Sequence, residues 1–182
     1  MRRPSLHVEP SGLVPTARHY IRDLVYGAND GIITTFAVVA GVAGGNLSRT
    51  AVLVVGAANI AADGLSMAVG NFLSIRANES AREAENLPEE EASPTRHAIA
   101  TFVAFIVAGS LPLLPYVLPV AEAARFNWSL ALTLGSLFVV GALRTLVTTD
   151  RWWRAGLEML GLGALVAAAA YGAGALIASV VE

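Results

Sequence analysis

Two aspartates stand where the surrounding residues give a charge little reason to be. Asp30 lies in the small-residue, apolar run from Tyr26 to Gly45, and Asp63 lies in a second such stretch, Ala51 to Ile75. If these stretches cross a bilayer, each acid is a functional-site candidate by default, because a carboxylate in hydrocarbon needs a cavity, a partner or a cation. Asn59, Asp63, Met67 and Asn71 recur every four residues, so a helix gathers them into one drifting stripe, flanked by Ser66 and Gly70. Hard oxygen with one soft sulfur suits first-row divalent metals better than alkali or alkaline-earth ions. The structural alternatives are interhelical glue or filler for asparagine and methionine, and a buried salt bridge for the acids. The nearest cations, Arg22, Arg76 and Arg144, all fall at span ends, which weakens the salt-bridge alternative. Asp30, Asp63, Met67 and Asn59 are therefore candidate metal ligands, and Asp63 and Asp30 also candidate proton-coupling groups.

The elements that must position them are membrane helices. The chain has 182 residues, 55% of them hydrophobic and 14% charged, with a mean hydropathy of +0.60, far from soluble composition. An all-α integral membrane protein is expected, a single bundle of five spans at about 24–45, 51–75, 98–121, 128–147 and 156–181. Residues 1–20 read as a cytosolic tail, residues 21–182 as the transmembrane domain, and residues 76–97 as an acidic cytosolic loop. The chain uses arginine and no lysine. Arg2, Arg3, Arg18, Arg22, Arg76, Arg82, Arg96, Arg144, Arg151 and Arg154 fall on one side, and Arg49 and Arg125 on the other. That asymmetry predicts a cytosolic N-terminus and an external C-terminus, with Trp128, Trp152 and Trp153 at span ends. Counting the helical rise from the predicted cytosolic ends puts Asp30 at about 9 Å depth and Met67 at about 12 Å, with Asp63 and Asn59 at about 18 and 24 Å.

The loop carries Glu79, Glu83, Glu85, Glu89, Glu90 and Glu91. Such a run is ordinarily a solvated loop, and its alternative is a site that collects cations at the cytosolic mouth. Glu79, Glu83 and Glu85 are the candidate entry residues, and Glu158 could join them. Pro112 and Pro115 should loosen the outer half of the third span, by removing backbone donors, and could form a hinge. His7, His19 and His97 make no spaced cluster along the chain. Without cysteine there are no disulfides or thiolate sites, a net charge of −2 suggests no nucleic-acid partner, and no hydrolytic triad or phosphate loop supports an enzyme. No permanently bound cofactor is expected.

Arg22-Asp-Leu-Val-Tyr-Gly-Ala-Asn-Asp-Gly-Ile-Ile-Thr-Thr-Phe-Ala-Val-Val-Ala-Gly41, followed by Ala62-Asp-Gly-Leu-Ser-Met-Ala-Val-Gly-Asn71, resembles the vacuolar iron transporter family. Pro112-Leu-Leu-Pro-Tyr116, Gly156-Leu-Glu-Met159 and Ala170-Tyr-Gly172 are similar too. The resemblance implies a homodimer of five-helix subunits that exports cytosolic Fe²⁺, often also Mn²⁺, in exchange for protons. The first helices would line the path at the dimer axis. It matches Asp30 to the family's metal-binding acid and Met67 to its methionine. Plant members carry glutamate where Asn59 stands, so Asp63 is the candidate replacement. Plant and fungal members also carry a longer glutamate-rich cytosolic domain, of which Glu79, Glu83 and Glu85 would be a remnant.

The function expected is a proton-coupled exporter of Fe²⁺ or Mn²⁺ in a lipid bilayer. A passive divalent-cation channel and a non-transporting membrane partner of a cytosolic iron-storage protein are the alternatives. Short loops and no targeting peptide point to a bacterial plasma membrane.

Overall fold

A computed structural model describes residues 4–181. Arg2 and Arg3, counted above toward orientation, lie outside the described residues. The chain folds as helices α1 (Leu13–His19), α2 (Ile21–Gly44), α3 (Arg49–Ala84), α4 (Pro94–Gly109), α5 (Leu114–Val117), α6 (Glu122–Leu143) and α7 (Trp152–Val181). Five helical segments are long and apolar enough to cross a membrane, Ile21–Gly44, Arg49–Ala84, Pro94–Val117, Glu122–Leu146 and Trp152–Val180. Five spans were expected, and the bounds shift: the third begins at Pro94, and the fourth and fifth begin earlier than their apolar cores because the helices take in the charged and aromatic residues ahead of them, from Glu122 and from Trp152.

The largest difference is at α3. It runs 36 residues without a break, to Ala84, so the stretch read as a loop from residue 76 is helical for its first nine residues. Ala77, Ala81, Ala84 and the long polar side chains between them are good helix formers, and polarity alone hid the helix. The connection that remains, residues 85–93, is short.

α2 is the axis of the bundle, packing on α3, α4, α6 and α7. Its tightest neighbour is α4. A Cβ on Gly27 would overlap the Thr101 carbonyl, and one on Gly31 would overlap that of Phe105, so the two backbones touch where these glycines stand. Ile32, Phe36 and Val39 fill the buried face beside them. α3, by contrast, buries only Val52, Gly56, Gly64 and Ile75, and leaves Leu65, Val69 and Leu73 exposed.

Pro112 and Pro115 sit where α4 breaks into a 3-10 turn, Leu111–Leu113, and then α5. The break is pinned, since the Ser129 hydroxyl of α6 donates to the Pro112 carbonyl at 2.6 Å and Arg49 donates to the Tyr116 carbonyl at 2.7 Å.

Candidate functional site

The polar stripe of α3 forms one face. Asn59, Asp63, Met67 and Asn71 are all partly buried, whereas Leu65, Ser66, Val69 and Gly70 around them are exposed. Register with α2 is set at one end by a polar contact, where Asn71 donates from Nδ2 to Asp23 Oδ1 and to Thr101 Oγ1, each at 2.8 Å. Asp23 is 1% exposed. Two antiparallel helices pinned at Asp23 and Asn71 bring Asp30, seven residues along α2, level with Asp63 and Gly64.

Asp30 and Asp63 do stand close enough for their charges to repel. The carboxylate level with Asp30 is thus Asp63, and Met67 lies about one turn nearer the acidic loop, about 6 Å away along the helix. Depth counted from predicted span ends had put Met67 beside Asp30. The Asp23–Asn71 contact, rather than the helix ends, sets the level of α2 against α3. Among the described residues neither Asp30 nor Asp63 has an ion-pair partner. Thr34 donates its hydroxyl to the Asp30 carbonyl, which leaves the Asp30 carboxylate uninvolved. Farther along the stripe, Asn59 carries a buried amide nitrogen with no hydrogen-bond partner. Asn71, by contrast, is interhelical glue.

The acidic candidates divide. Glu79 accepts at Oε1 from the backbone N–H groups of Glu90 and Glu91, at 3.1 and 3.0 Å, and so caps the loop. Glu83 and Glu85 are exposed at the end of α3. Glu158 accepts from Arg144 at 2.6 Å and lines one cavity with Asp150, Arg151 and Arg154 and another with Arg22 and Asn29.

Sequence spacing gave no sign of a second constellation. The tail folds back onto the loop through Leu6 N–H to the Glu89 carbonyl, 2.7 Å, and Glu89 N–H to the Pro4 carbonyl, 2.9 Å. Glu9 pairs with Arg96 and accepts from the Ser93 hydroxyl. These contacts carry His7 and His19 to Glu91, whose carboxylate also receives His97 Nε2 at 2.8 Å, while His97 Nδ1 meets Asp23 Oδ2 at 2.5 Å. A cleft of about 630 Å³ beside them is lined by His19, Arg22, Asn71, Asn78, Glu91 and His97. A polar line therefore runs from Glu91 through His97 and Asp23 to Asn71. The missed signal was Asp23 itself, which sits seven residues before Asp30 on the same face.

The tail's attachment is expected to depend on pH. The Ser93 hydroxyl that donates to Glu9, then the neighbouring His7 and Arg96, hold its carboxyl below the ordinary 4.5. A carboxylate depressed in the docked state contributes attachment above its free pKa and loses it as pH falls through the docked one. Spin labels at Val8 and Ala92, both exposed, should give one short distance at neutral pH that broadens only well below pH 4.5; a distance unchanged at the most acidic pH the protein tolerates would remove Glu9 as the fastener.

The comparisons with known proteins agree with this architecture. The model of the VIT family matches residues 21–91 and 80–175, which is most of the chain. The chain belongs to the VIT family. It is similar to "Vacuolar iron transporter 1" of Eucalyptus grandis, 26% identical over 86% of each chain, and to the protein of the same name in Arabidopsis thaliana, 26% identical over 86% of this chain and 85% of the relative. "Vacuolar iron transporter homolog 1" of rice is 34% identical over 94% of this chain and 78% of the relative. The Eucalyptus alignment runs over 215 positions, more than this VIT-family chain has residues, so that relative carries inserted residues. The two family matches overlap at residues 80–91, the end of α3 and the start of the acidic loop.

Proposed function

We propose that this protein is a transporter that moves a divalent transition metal, Fe²⁺ and also Mn²⁺, out of the cytosol in exchange for protons. The observation that carries the reading is the pair Asp30 and Asp63, two mutually repelling carboxylates inside membrane helices with no basic partner among the described residues. Such a pair is tolerated where a cation or protons balance it. Met67 and Asn59, on the same face of α3, add a sulfur and an oxygen ligand on either side of the pair, as a path with successive stations requires. The names of the relatives supply iron as the cargo.

Metal binding would displace protons from the two acids, and their reprotonation from the opposite side would release the metal. Orientation follows the arginine bias, with the tail and the acidic loop in the cytosol. The working unit is a homodimer around the open side of Asp30 and the unpartnered apolar face of α3, Leu65, Val69 and Leu73. We place it in a bacterial plasma membrane on the brevity of its loops; the relatives are named vacuolar.

The test is uptake of Mn²⁺ or Fe²⁺ into proteoliposomes with internal pH recorded. Uptake driven by an imposed pH gradient, with protons moving the opposite way, is the expected result. Flux that follows the metal gradient alone makes the protein a passive channel, and binding without flux makes it a non-transporting partner.

A further inference from the structure

We propose that His7, His19 and Glu91 form a binding site for a first-row divalent transition metal at the mouth of the cleft, separate from the intramembrane acids. One ligand atom from each lies within 4.8 Å of the other two. Two imidazoles and a carboxylate are a ligand set that divalent iron, manganese, cobalt and zinc accept, at about 2.0–2.2 Å from the metal for zinc. Closing on an ion asks each side chain for a movement of about an ångström, within reach of a tail segment and a loop residue.

The state of the imidazoles points the same way. The His7 side chain is 6% exposed, with Nδ1 3.2 Å from Glu91 Oε1 and Nε2 3.2 Å from Glu9 Oε1. His19 Nε2 is buried without a hydrogen-bond partner and faces Glu91 Oε2 at 3.5 Å. Buried polar nitrogens are ordinarily satisfied, so His7 Nδ1 and the unsatisfied His19 Nε2, both turned toward the Glu91 carboxylate, mark a place for a shared cation. Glu91 is oriented from behind, because His97 Nε2 meets its Oε2 and Glu79 accepts from its backbone N–H. That support is the kind that holds a metal ligand in position.

The site also opens onto something. His19 and Glu91 line the same cleft as Asn71, which is one turn of α3 from Met67. A metal released from Glu91 enters a cavity whose inner wall is the start of the intramembrane stripe. Arg18 and Arg22 line the cleft as well and oppose cation entry, which gives the paired histidines and Glu91 a reason to be there. Its role as a loading station rests on the transport reading above; the binding itself does not.

The chain has three histidines and none in the intramembrane stripe, so imidazole nitrogen coupled to a bound paramagnetic ion reports the tail and loop, and the His7 and His19 substitutions separate this site from His97. Detergent-solubilised full-length protein, its purification tag removed, is loaded with Mn²⁺ and read by pulsed electron paramagnetic resonance. Nitrogen modulation is expected in the wild type and in Asp30→Asn. His7→Ala should roughly halve the number of coupled nitrogens, and His7→Ala with His19→Ala should abolish the modulation while Mn²⁺ still binds elsewhere. Both substitutions fall at the tail and α1, outside the spans. Excess Mg²⁺ should not displace the ion. No modulation in the wild type at saturating Mn²⁺, or modulation that survives the double substitution, overturns the site. Modulation as expected in a protein that carries no flux would overturn transport and leave the site standing.

Discussion

In proteoliposomes, Asp30→Asn is expected to lower Mn²⁺ flux by about a hundredfold, a rise of about 2.7 kcal/mol in the barrier. The substitution keeps size and removes one of the two charges that face each other between α2 and α3. A unit charge about 4 Å from another gains about 4 kcal/mol at an effective dielectric of about 20, and desolvation cancels part of it. A divalent ion loses that attraction when Asp30 goes, and Asp63 alone is left to hold it. The same change should leave the fold as stable or more so, because it relieves a repulsion. Thermal unfolding and flux measured on one preparation separate the two effects. Flux at the wild-type rate would remove Asp30 from the path.

Gly31→Ala is expected to cost about 2 kcal/mol and about 5 °C of unfolding midpoint, by overpacking. Its Cβ would meet the backbone of α4 at Phe105, and backbone has no rotamer with which to give way. Only separation of α2 from α4 relieves the overlap. Because Asp30 is the preceding residue on α2, that separation also shifts the carboxylate relative to Asp63, so flux should fall with stability. Gly70→Ala is the matched control, since nothing lies within 4 Å of a Cβ there. Equal behaviour of the two variants would mean that the α2–α4 crossing is looser than its geometry.

What the sequence made legible follows from the lipid. Hydrocarbon requires long apolar helices, so five spans could be read from composition, and helical periodicity gathered Asn59, Asp63, Met67 and Asn71 onto one face. The pairing of levels across two helices was not readable. It depends on where α2 and α3 begin and on the Asp23–Asn71 contact, 48 residues apart. Asp23 was hidden by standing next to Arg22, where it reads as an ordinary interfacial charge. The histidine cluster was hidden for a different reason. Its members at 7, 19, 91 and 97 come together only when the tail docks on the loop, and no local spacing encodes that. The partner of Glu158, Arg144, lies 14 residues before it on another helix, a pairing that no local spacing encodes.

The unbroken length of α3 also sets how the protein can move. At about 1.5 Å per residue its 36 residues make a rod of about 54 Å, held by few buried contacts and without an internal break. On the transport reading, a rod of this kind would open a passage chiefly by leaning, since it has no internal break. A lean of about ten degrees pivoting at Asp63 carries Glu79 sideways by about 4 Å. Glu79 grips the backbone of Glu90 and Glu91, so the loop travels with it. On the transport reading proposed above, occupancy at one end and aperture at the other would share a single mechanical coordinate, with α3 as the lever arm between them.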